Sequence, residues 1–238
     1  AGGTYARQMG EWSGLQLPMT SMTHHYLVTD TVPEFEALDR ELPVIRDDNL
    51  VSGYIRMEQK KGLIGIYEHT GAVEAWAPKG VPEWASESEL FTEDLDRLMP
   101  WLGNALERMP VLADAGIKQI FNGAISHTPD GPPLLGPVAG LKNFWLCCGA
   151  SFGIAQGAGC GKYLAQWMLY GDADINMTGL DPRRFGVYAD DPFLRSTVFQ
   201  DYCNTFVTPL PSEELPAGRA RRISPLYDTL KAQGAIHS

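Results

Sequence analysis

The sequence has little positive charge and no long apolar run, and each shortage excludes a class of protein. Its 19 lysines and arginines stand against 29 aspartates and glutamates, which gives a net charge of −10. That balance argues against a nucleic-acid partner held by phosphate contacts. The longest apolar run, residues 144–148, is far shorter than the roughly 18 residues that a membrane-spanning helix needs. We therefore expect neither a nucleic-acid nor a membrane partner.

Cysteine is also scarce, and its spacing does not indicate a metal or redox site. The four cysteines are Cys147, Cys148, Cys160 and Cys203, and none forms a Cys-x-x-Cys pair. Adjacent residues of a strand point to opposite faces, so Cys147 and Cys148 cannot share a ligand. We predict buried thiols in a reducing compartment, no bound metal, and a cytoplasmic protein, or a mitochondrial-matrix protein in a eukaryote.

Two nucleotide-binding motifs are missing as well. A P-loop needs Ser or Thr after its Lys, but Lys162 is followed by Tyr163. The glycines of residues 157–161 have the wrong spacing for a dinucleotide fingerprint. The chain begins with Ala1-Gly2-Gly3-Thr4, which looks like the end of a strand, and it has neither an initiator Met nor a signal peptide there. We expect that it has been cut from a longer protein.

What is present favours an ordinary globular domain, with 44% hydrophobic and 20% charged residues. Residue patterns predict strands at 19–29, 44–46, 53–59, 62–68, 117–125 and 144–149. In the predicted strand at 53–59, Tyr54, Arg56 and Glu58 share one face, and Ile55 and Met57 share the other. This alternation is typical of an antiparallel sheet with one solvated or ligand-facing side.

Apolar residues at three- and four-residue steps predict an amphipathic helix from residue 95 to 109, after the acidic cap of residues 92–94. A second helix follows the strand at 144–149 and runs to Tyr170. It contains Gly157, Gly159 and Gly161, each costing about 1 kcal/mol relative to Ala. Two explanations remain open: close approach of another element or a flat ligand, or packing against a neighbouring helix.

The most specific stretch is NGAISHTPDGPPLLGP at residues 122–137, followed by a short strand and a glycine-rich helix. This order resembles the closing segment of the D-amino-acid-oxidase and glycine-oxidase superfamily. Further segments resemble dimethylglycine and sarcosine dehydrogenases: MTHHYLVT at 22–29, ELPVIRD at 41–47, FTEDLDR at 91–97, GKYL at 161–164, LDPRRF at 180–185, PAGR at 216–219 and SPLYD at 224–228. The resemblance covers essentially the whole chain.

The resemblance implies an α+β fold. An antiparallel substrate-binding sheet with flanking helices would be joined to the closing strand and helix of an FAD-binding α/β domain, without its Rossmann βαβ unit. Residues 1–178 would form the flavin-lid and substrate-binding part, and residues 179–238 an irregular central linker domain. The cofactor would be FAD. The residues implied to contact it are Gly2, Gly149, Ala150, Ser151, Phe152, Gly153 and Ile154.

The implied reaction is oxidative demethylation of an N-methyl glycine derivative, with hydride transfer from the N-methyl carbon to flavin N5. A helix amino terminus at residues 151–154 would stabilise negative charge on the reduced ring. His24 and His25 alternate faces, so at most one faces the flavin, and we favour His24 as catalytic. His127 either touches the ring as a second catalytic residue or caps its loop.

Substrate-binding residues follow from the substrate's two ends. The carboxylate requires donors such as Arg56 or His24. The methylated amine suits aromatic faces, for which Tyr54, Tyr67 and Trp76 are available. Each also has a plain structural interpretation, Arg56 as a solvated strand residue and Trp76 as a lid or core residue.

By the same resemblance, the FAD diphosphate-binding segment and a flavin-linking histidine lie upstream, and a folate-binding module lies downstream. We therefore expect this chain alone to bind FAD poorly and to be inactive. An alternative from another class is a non-catalytic scaffold or assembly subunit with a flavoprotein-like fold. A third interpretation keeps the superfamily but changes the substrate to another N-methyl amino acid.

Overall fold

The structure is a computed structural model that describes residues 2–48, 50–87 and 90–235. Its framework is a five-stranded antiparallel sheet with the strand order β2-β3-β4-β1-β5. The strands are β1 Thr20–Thr31, β2 Ile45–Asp47, β3 Gly53–Glu58, β4 Lys61–Ile66 and β5 Ile117–His127. A separate two-stranded antiparallel sheet consists of β6 Leu134–Pro137 and β7 Trp145–Cys148.

Six α-helices surround these sheets in the described ranges. They are α1 Ala6–Glu11, α2 Pro33–Glu36, α3 Leu95–Arg108, α4 Gly153–Tyr170, α5 Asp191–Asn204 and α6 Tyr227–Ala232. Short 3₁₀ helices lie at Gly3–Tyr5, Pro110–Leu112 and Pro182–Arg184. Among the helices described here, none is both long and apolar enough to cross a bilayer.

The two faces of the large sheet have different partners. Leu27, Ile55 and Ile64 lie on one face and pack against α3, through Leu98 and Leu102, in the largest hydrophobic core. We call the opposite face, on which Tyr54 and Arg56 lie, the site face. Tyr54 and Arg56 are half-buried, whereas Ile55 on the α3 face is buried. The alternation predicted for this strand is confirmed.

The amphipathic helix predicted after residue 94 is confirmed as α3. It begins at Leu95, and the Asp94 side chain accepts a hydrogen bond from the Arg97 backbone N–H at 3.2 Å, which satisfies one of the free donors of the first turn. The glycine-rich helix is also present as α4, which begins at Gly153 and ends at Tyr170, followed by Gly171 with a positive φ of 82°.

The strand end predicted at the start of the chain is wrong. Ala1 lies outside the described residues, but Gly3 opens a 3₁₀ helix rather than closing a strand. Gly2 precedes it with a φ of 121°, a backbone conformation open to glycine and strained for other residues.

The carboxy-terminal part is a second correction, because the expected irregular chain contains the 14-residue helix α5. The Asp190 side chain caps it by accepting a hydrogen bond from the Phe193 N–H at 3.0 Å. Leu194, Val198 and Tyr202 are buried on one side of α5, where they pack against the site face of the sheet. The boundary between residues 178 and 179 stays a prediction.

Candidate active site

His24 lies at the centre of a buried group of aromatic and ionisable side chains on the site face. Its Nδ1 is 3.3 Å from the Tyr202 hydroxyl, and its Nε2 is 3.3 Å from the Tyr54 hydroxyl. Its ring centroid is 4.3 Å from that of Tyr67. Burial, with smaller effects from His127, His25 and Arg97, lowers the pKa of His24 to about 3. The imidazole is therefore neutral at physiological pH.

Tyr54 reaches His24 because of a close approach across the sheet. Tyr54 is paired with Gly65 on β4, and its ring occupies the space that a side chain at position 65 would fill. Burial also raises the pKa of the Tyr54 hydroxyl. Tyr54 therefore remains a hydrogen-bond donor.

A buried ion pair between Glu68 and Arg97 contacts this group through Tyr202. The Glu68 carboxylate is fully buried and accepts hydrogen bonds from Arg97 Nε at 2.6 Å and from the Tyr202 hydroxyl at 2.5 Å. Burial and then the Glu68 charge raise the pKa of Tyr202, so this hydroxyl keeps its proton and donates it. Arg97 also donates to Thr23, which ties α3 to β1.

His25 points to the other side of the sheet, as strand alternation requires. Its Nε2 lies 3.2 Å from the Asp94 backbone N–H, and its Nδ1 lies 2.9 Å from Arg97 Nη2. Burial, followed by the Arg97 charge, lowers its pKa to about 4. His25 therefore belongs to the attachment of α3, whereas His24 faces the candidate site.

Tyr67 connects this group to the start of α4. Its ring stacks on Phe206, with centroids 5.0 Å apart, and lies 5.1 Å from the ring of Tyr202. It also lies 6.2 Å from the ring of Phe152, the residue that precedes α4. Burial raises its pKa far above the usual range. The result is a neutral, largely aromatic wall between the sheet and α4.

His127 lies at the end of β5 on the same face and is 1% exposed. Its Nδ1 is 2.9 Å from Asp201 Oδ2, and its ring is 5.7 Å from that of Tyr202. Its Nε2 is buried and has no hydrogen-bond partner among the residues that the structure describes. His127 is therefore held by α5 rather than acting as a cap of its own loop.

Arg56 and Trp76, which the sequence also predicts to bind substrate, contact other residues. Arg56 forms an ion pair with Glu58 at 2.5 Å on the partly exposed strand surface, and Trp76 packs its ring against Phe91 at 5.2 Å. Neither of these two contacts involves His24. Arg46 of β2 instead lies against the aromatic wall, with its guanidinium 4.0 Å from the Phe206 ring. Arg46 is paired with Tyr54 across β2 and β3.

The residues predicted to contact the cofactor gather at the start of α4. Gly149, Ala150 and Ser151 line a cavity of about 290 Å³ together with Gly3 and Thr4. Gly149 has a φ of 74°, and a Cβ there would lie 2.7 Å from the Thr128 side chain, so a larger residue does not fit.

Phe152, Gly153 and Ile154 follow at the amino terminus of α4, where Ile154 is fully exposed. A Cβ added at Gly153, Gly157 or Gly161 would meet no heavy atom within 4 Å among the described residues. These glycines therefore do not pack on a neighbouring helix in the described part of the chain. Gly2 is adjacent in sequence to the cavity residue Gly3.

Several residues of this site are not identified by sequence reasoning: Arg46, Glu68, Arg97, Asp201, Tyr202 and Phe206. Arg97 lies in the FTEDLDR motif and Arg46 in the ELPVIRD motif, so the resemblance identifies both segments without assigning roles. Asp201 and Tyr202 lie in the part of the chain expected to be irregular, where helical periodicity is the signal that points to them.

The sheet, the glycine-rich strand-to-helix turn and the buried polar group define a flavoenzyme-like half-domain, and comparison with known proteins gives its family. Residues 1–167 match the FAD dependent oxidoreductase family, and residues 170–224 match the FAD dependent oxidoreductase central domain. The chain belongs to the FAD-dependent oxidoreductase family.

Three mitochondrial proteins are similar to nearly the whole chain. The chain is 38% identical to mouse mitochondrial dimethylglycine dehydrogenase over 237 residues, which are 98% of this chain and 27% of that protein. It is 31% identical to human mitochondrial sarcosine dehydrogenase over 242 residues, 98% and 25% of the two chains. It is 34% identical to the mouse mitochondrial pyruvate dehydrogenase phosphatase regulatory subunit over 227 residues, 93% and 25%. The chain thus spans about a quarter of the length of these relatives.

Among solved structures, L-proline dehydrogenase from P. horikoshii matches with a TM-score of 0.62 and 17% identity, covering 78% of this chain and 46% of that one. At this identity the match shows the fold alone. It confirms the α+β class, and the family match confirms the resemblance found in the sequence.

Proposed function

We propose that this chain forms the amine-binding and flavin-covering part of an enzyme that oxidatively demethylates dimethylglycine or sarcosine. The observation that carries the proposal is the neutral, buried His24 in contact with Tyr54 and Tyr67, of which Tyr67 lies 6.2 Å from Phe152 at the start of α4. When bound, FAD supplies the chemistry by accepting a hydride from the N-methyl carbon.

The aromatic wall suits the methylated amine of such a substrate. Tyr54 and Tyr67 offer ring faces that attract a cationic or methylated amine. The methyl carbon can release a hydride only after the nitrogen has lost its proton, because the nitrogen lone pair then forms the iminium cation. A neutral His24 places no positive charge beside that developing cation. His24 and His127 are the catalytic residues that we assign to proton handling.

The substrate carboxylate requires a cation at the rim of the same wall. Arg46 is already there, stacked on Phe206 and paired across the strands with Tyr54. Arg56 lies two residues further along β3 on the same face, where it now pairs with Glu58. We assign Arg46 and Arg56 as carboxylate donors, and Trp76 as a residue of the surrounding loop.

The start of α4 suits the flavin ring. An 18-residue helix presents free backbone amides and a positive dipole end at its first turn, which stabilise negative charge. We assign the ring to the turn from Gly149 to Ile154, beside the open glycines of α4 and near Gly2. The diphosphate is held by a dinucleotide-binding segment outside this chain, and folate by a downstream module. We place the protein in the cytoplasm, or in the mitochondrial matrix of a eukaryote.

The test is anaerobic reduction of the bound flavin in the intact FAD-loaded protein. We expect dimethylglycine or sarcosine to bleach the flavin and to yield formaldehyde, and glycine, which has no N-methyl group, to do neither. His24→Gln should slow reduction by about 10²-fold or more. Tyr188→Phe, a matched loss of a hydroxyl whose partner is the Arg184 carbonyl, should leave the rate unchanged. A flavin that stays oxidised with both substrates would contradict the proposal.

A non-catalytic scaffold is the second candidate, because the regulatory subunit of a phosphatase is 34% identical over most of the chain. In that case FAD binds without being reduced by any N-methyl amine, and a partner protein is retained on affinity purification. Reduction by a different N-methyl amino acid, but not by dimethylglycine or sarcosine, instead favours the third interpretation.

A further inference from the structure

Helix α5 contributes two consecutive side chains to the site face, and each contacts a different histidine. Asp201 reaches His127 at the end of β5, and Tyr202 reaches His24 in β1. Tyr202 is fully buried, and Asp201 has a side chain that is 27% exposed. The helix therefore determines the surroundings of both histidines that we assign to proton handling.

The hydrogen bonds of Tyr202 have a fixed direction. The Glu68 carboxylate is an acceptor, paired with Arg97, so the Tyr202 hydroxyl donates its one hydrogen to Glu68 at 2.5 Å. The Tyr202 oxygen can then only accept from His24, which requires a hydrogen on Nδ1. A neutral imidazole carries one N–H, so its Nε2 has a lone pair.

The protonation of His24 also determines the direction of its hydrogen bond with the half-buried Tyr54. Because Nε2 is an acceptor, the Tyr54 hydroxyl at 3.3 Å donates its hydrogen to His24. The Tyr54 oxygen therefore offers lone pairs, and no hydrogen, to a ligand on the site face. A protonated or N–H-bearing amine matches such an acceptor.

His127 is fixed in an equivalent way by Asp201. The carboxylate accepts from Nδ1 at 2.9 Å, so this nitrogen carries a hydrogen whether or not His127 is charged. In the neutral ring Nε2 is again unprotonated, and it is the buried nitrogen that has no partner among the described residues.

We propose that Asp201 and Tyr202 are positioning residues that hold His127 and His24 in the Nδ1-protonated tautomer, so that the site presents acceptors to its ligand. The hydrogen on each Nδ1 follows from hydrogen-bond direction, whereas its effect on the reaction rests on the proposed function. The helix matched by the central-domain family thereby acts on the histidines of the sheet.

The first experiment reads the tautomers directly, by ¹⁵N NMR of the intact protein labelled at histidine, with signals assigned through His24→Asn and His127→Asn. We expect hydrogen on Nδ1 in both rings and, for His24, an unprotonated Nε2. Tyr202→Phe should change the tautomer or protonation of His24 alone, and Asp201→Ala that of His127 alone. Tyr188→Phe and Asp172→Asn, matched changes outside this group, should alter neither. Wild-type rings that carry hydrogen on Nε2 instead of Nδ1, or variants that leave the spectrum unchanged, would overturn the proposal.

The second experiment measures the consequence. Loss of the group that orients a functional histidine typically costs about 10- to 100-fold in activity. We expect Tyr202→Phe to slow flavin reduction by that factor, and little further loss when His24→Gln is added, because the two residues act as one unit. If Tyr202→Phe does not fold, Asp201→Ala at the half-exposed position provides the same test for His127. If wild-type flavin is not reduced by either substrate, the proposed function fails while the NMR result still decides the tautomers.

Discussion

At the scale of residues, the Glu68–Arg97 ion pair is the contact whose loss should cost most. Both side chains are buried, with 0% and 9% exposure, and their atoms lie 2.6 Å apart. Glu68→Gln leaves the guanidinium charged and buried without its counter-charge, which typically costs about 3 to 5 kcal/mol. We expect a correspondingly large fall in the free energy of unfolding, measured by denaturant titration.

The Arg56–Glu58 pair provides the control on the same sheet. Its side chains are 38% and 41% exposed, so water screens the pair, and such pairs contribute at most about 1 kcal/mol. Glu58→Gln should therefore change the unfolding free energy little. Equal losses in the two variants would show that the buried pair is not special.

His24 is one source of the pH dependence of stability, beside His25, whose pKa is also lowered by burial. The pKa of His24 falls from 6.5 in the unfolded chain to about 3 in the fold, so the unfolded state binds more protons between these values. The folded state therefore loses stability as the pH falls below about 6.5, and the loss grows until about pH 3. At about pH 5 the penalty is about 2 kcal/mol. His24→Gln should show a flatter decline of melting temperature from about pH 7 to about pH 5 than wild type. Parallel curves for the two proteins would refute this.

Part of this group of side chains around His24 can be predicted from the sequence. Strand alternation separates His24 from His25, and the motif identifies His127. The contacts of Glu68 with Arg97 and Tyr202 span 29 and 134 residues of chain. Such pairings depend on how helices dock on the sheet, which residue patterns along one segment do not contain.

At the scale of elements, replacing the glycines of α4 should raise the stability of the chain but lower the flavin content of the intact protein. Gly157 and Gly161 are exposed, and a Cβ at either position meets nothing within 4 Å. Replacing each by Ala should stabilise this chain by about 1 kcal/mol through helix propensity. If a flat ligand approaches this face, the same changes should lower the flavin content of the intact protein. Melting temperature and flavin absorbance measure the two effects.

Gly103 of α3 is the matched control, because it is also exposed and a Cβ there also meets nothing within 4 Å. Gly103→Ala should raise stability without changing flavin content. If flavin content is unchanged in all three variants, the flavin ring does not lie against the glycines of α4.

Helix α5 shows where element prediction failed and which signal was present. Leu194, Val198 and Tyr202 recur at four-residue steps, and Asp190 with Pro192 forms a helix start. The surrounding prolines conceal this periodicity when composition is taken as the guide. In contrast, α3 was predicted because its apolar stripe and acidic cap are uninterrupted by such residues at its start.

At the scale of the whole molecule, α4 exposes several large apolar side chains. Ile154 is fully exposed, Leu169 is 74% exposed and Tyr170 is 79% exposed, and Leu164 is its buried residue. Large exposed apolar surfaces favour association. We expect the 238-residue chain produced alone to self-associate and to remain colourless after incubation with FAD and gel filtration.

Two variants separate these two properties. Leu169→Lys should reduce self-association, measured by light scattering, without giving flavin binding, because we assign the FAD diphosphate to a segment outside this chain. Joining the chain to a dinucleotide-binding segment should restore flavin absorbance, because that segment supplies the phosphate contacts. A monomeric chain that retains stoichiometric FAD without such a segment would contradict the division of the flavin site between two parts of a protein. It would then be the cavity beside Gly149 and the open glycines of α4, rather than a missing segment, that account for affinity.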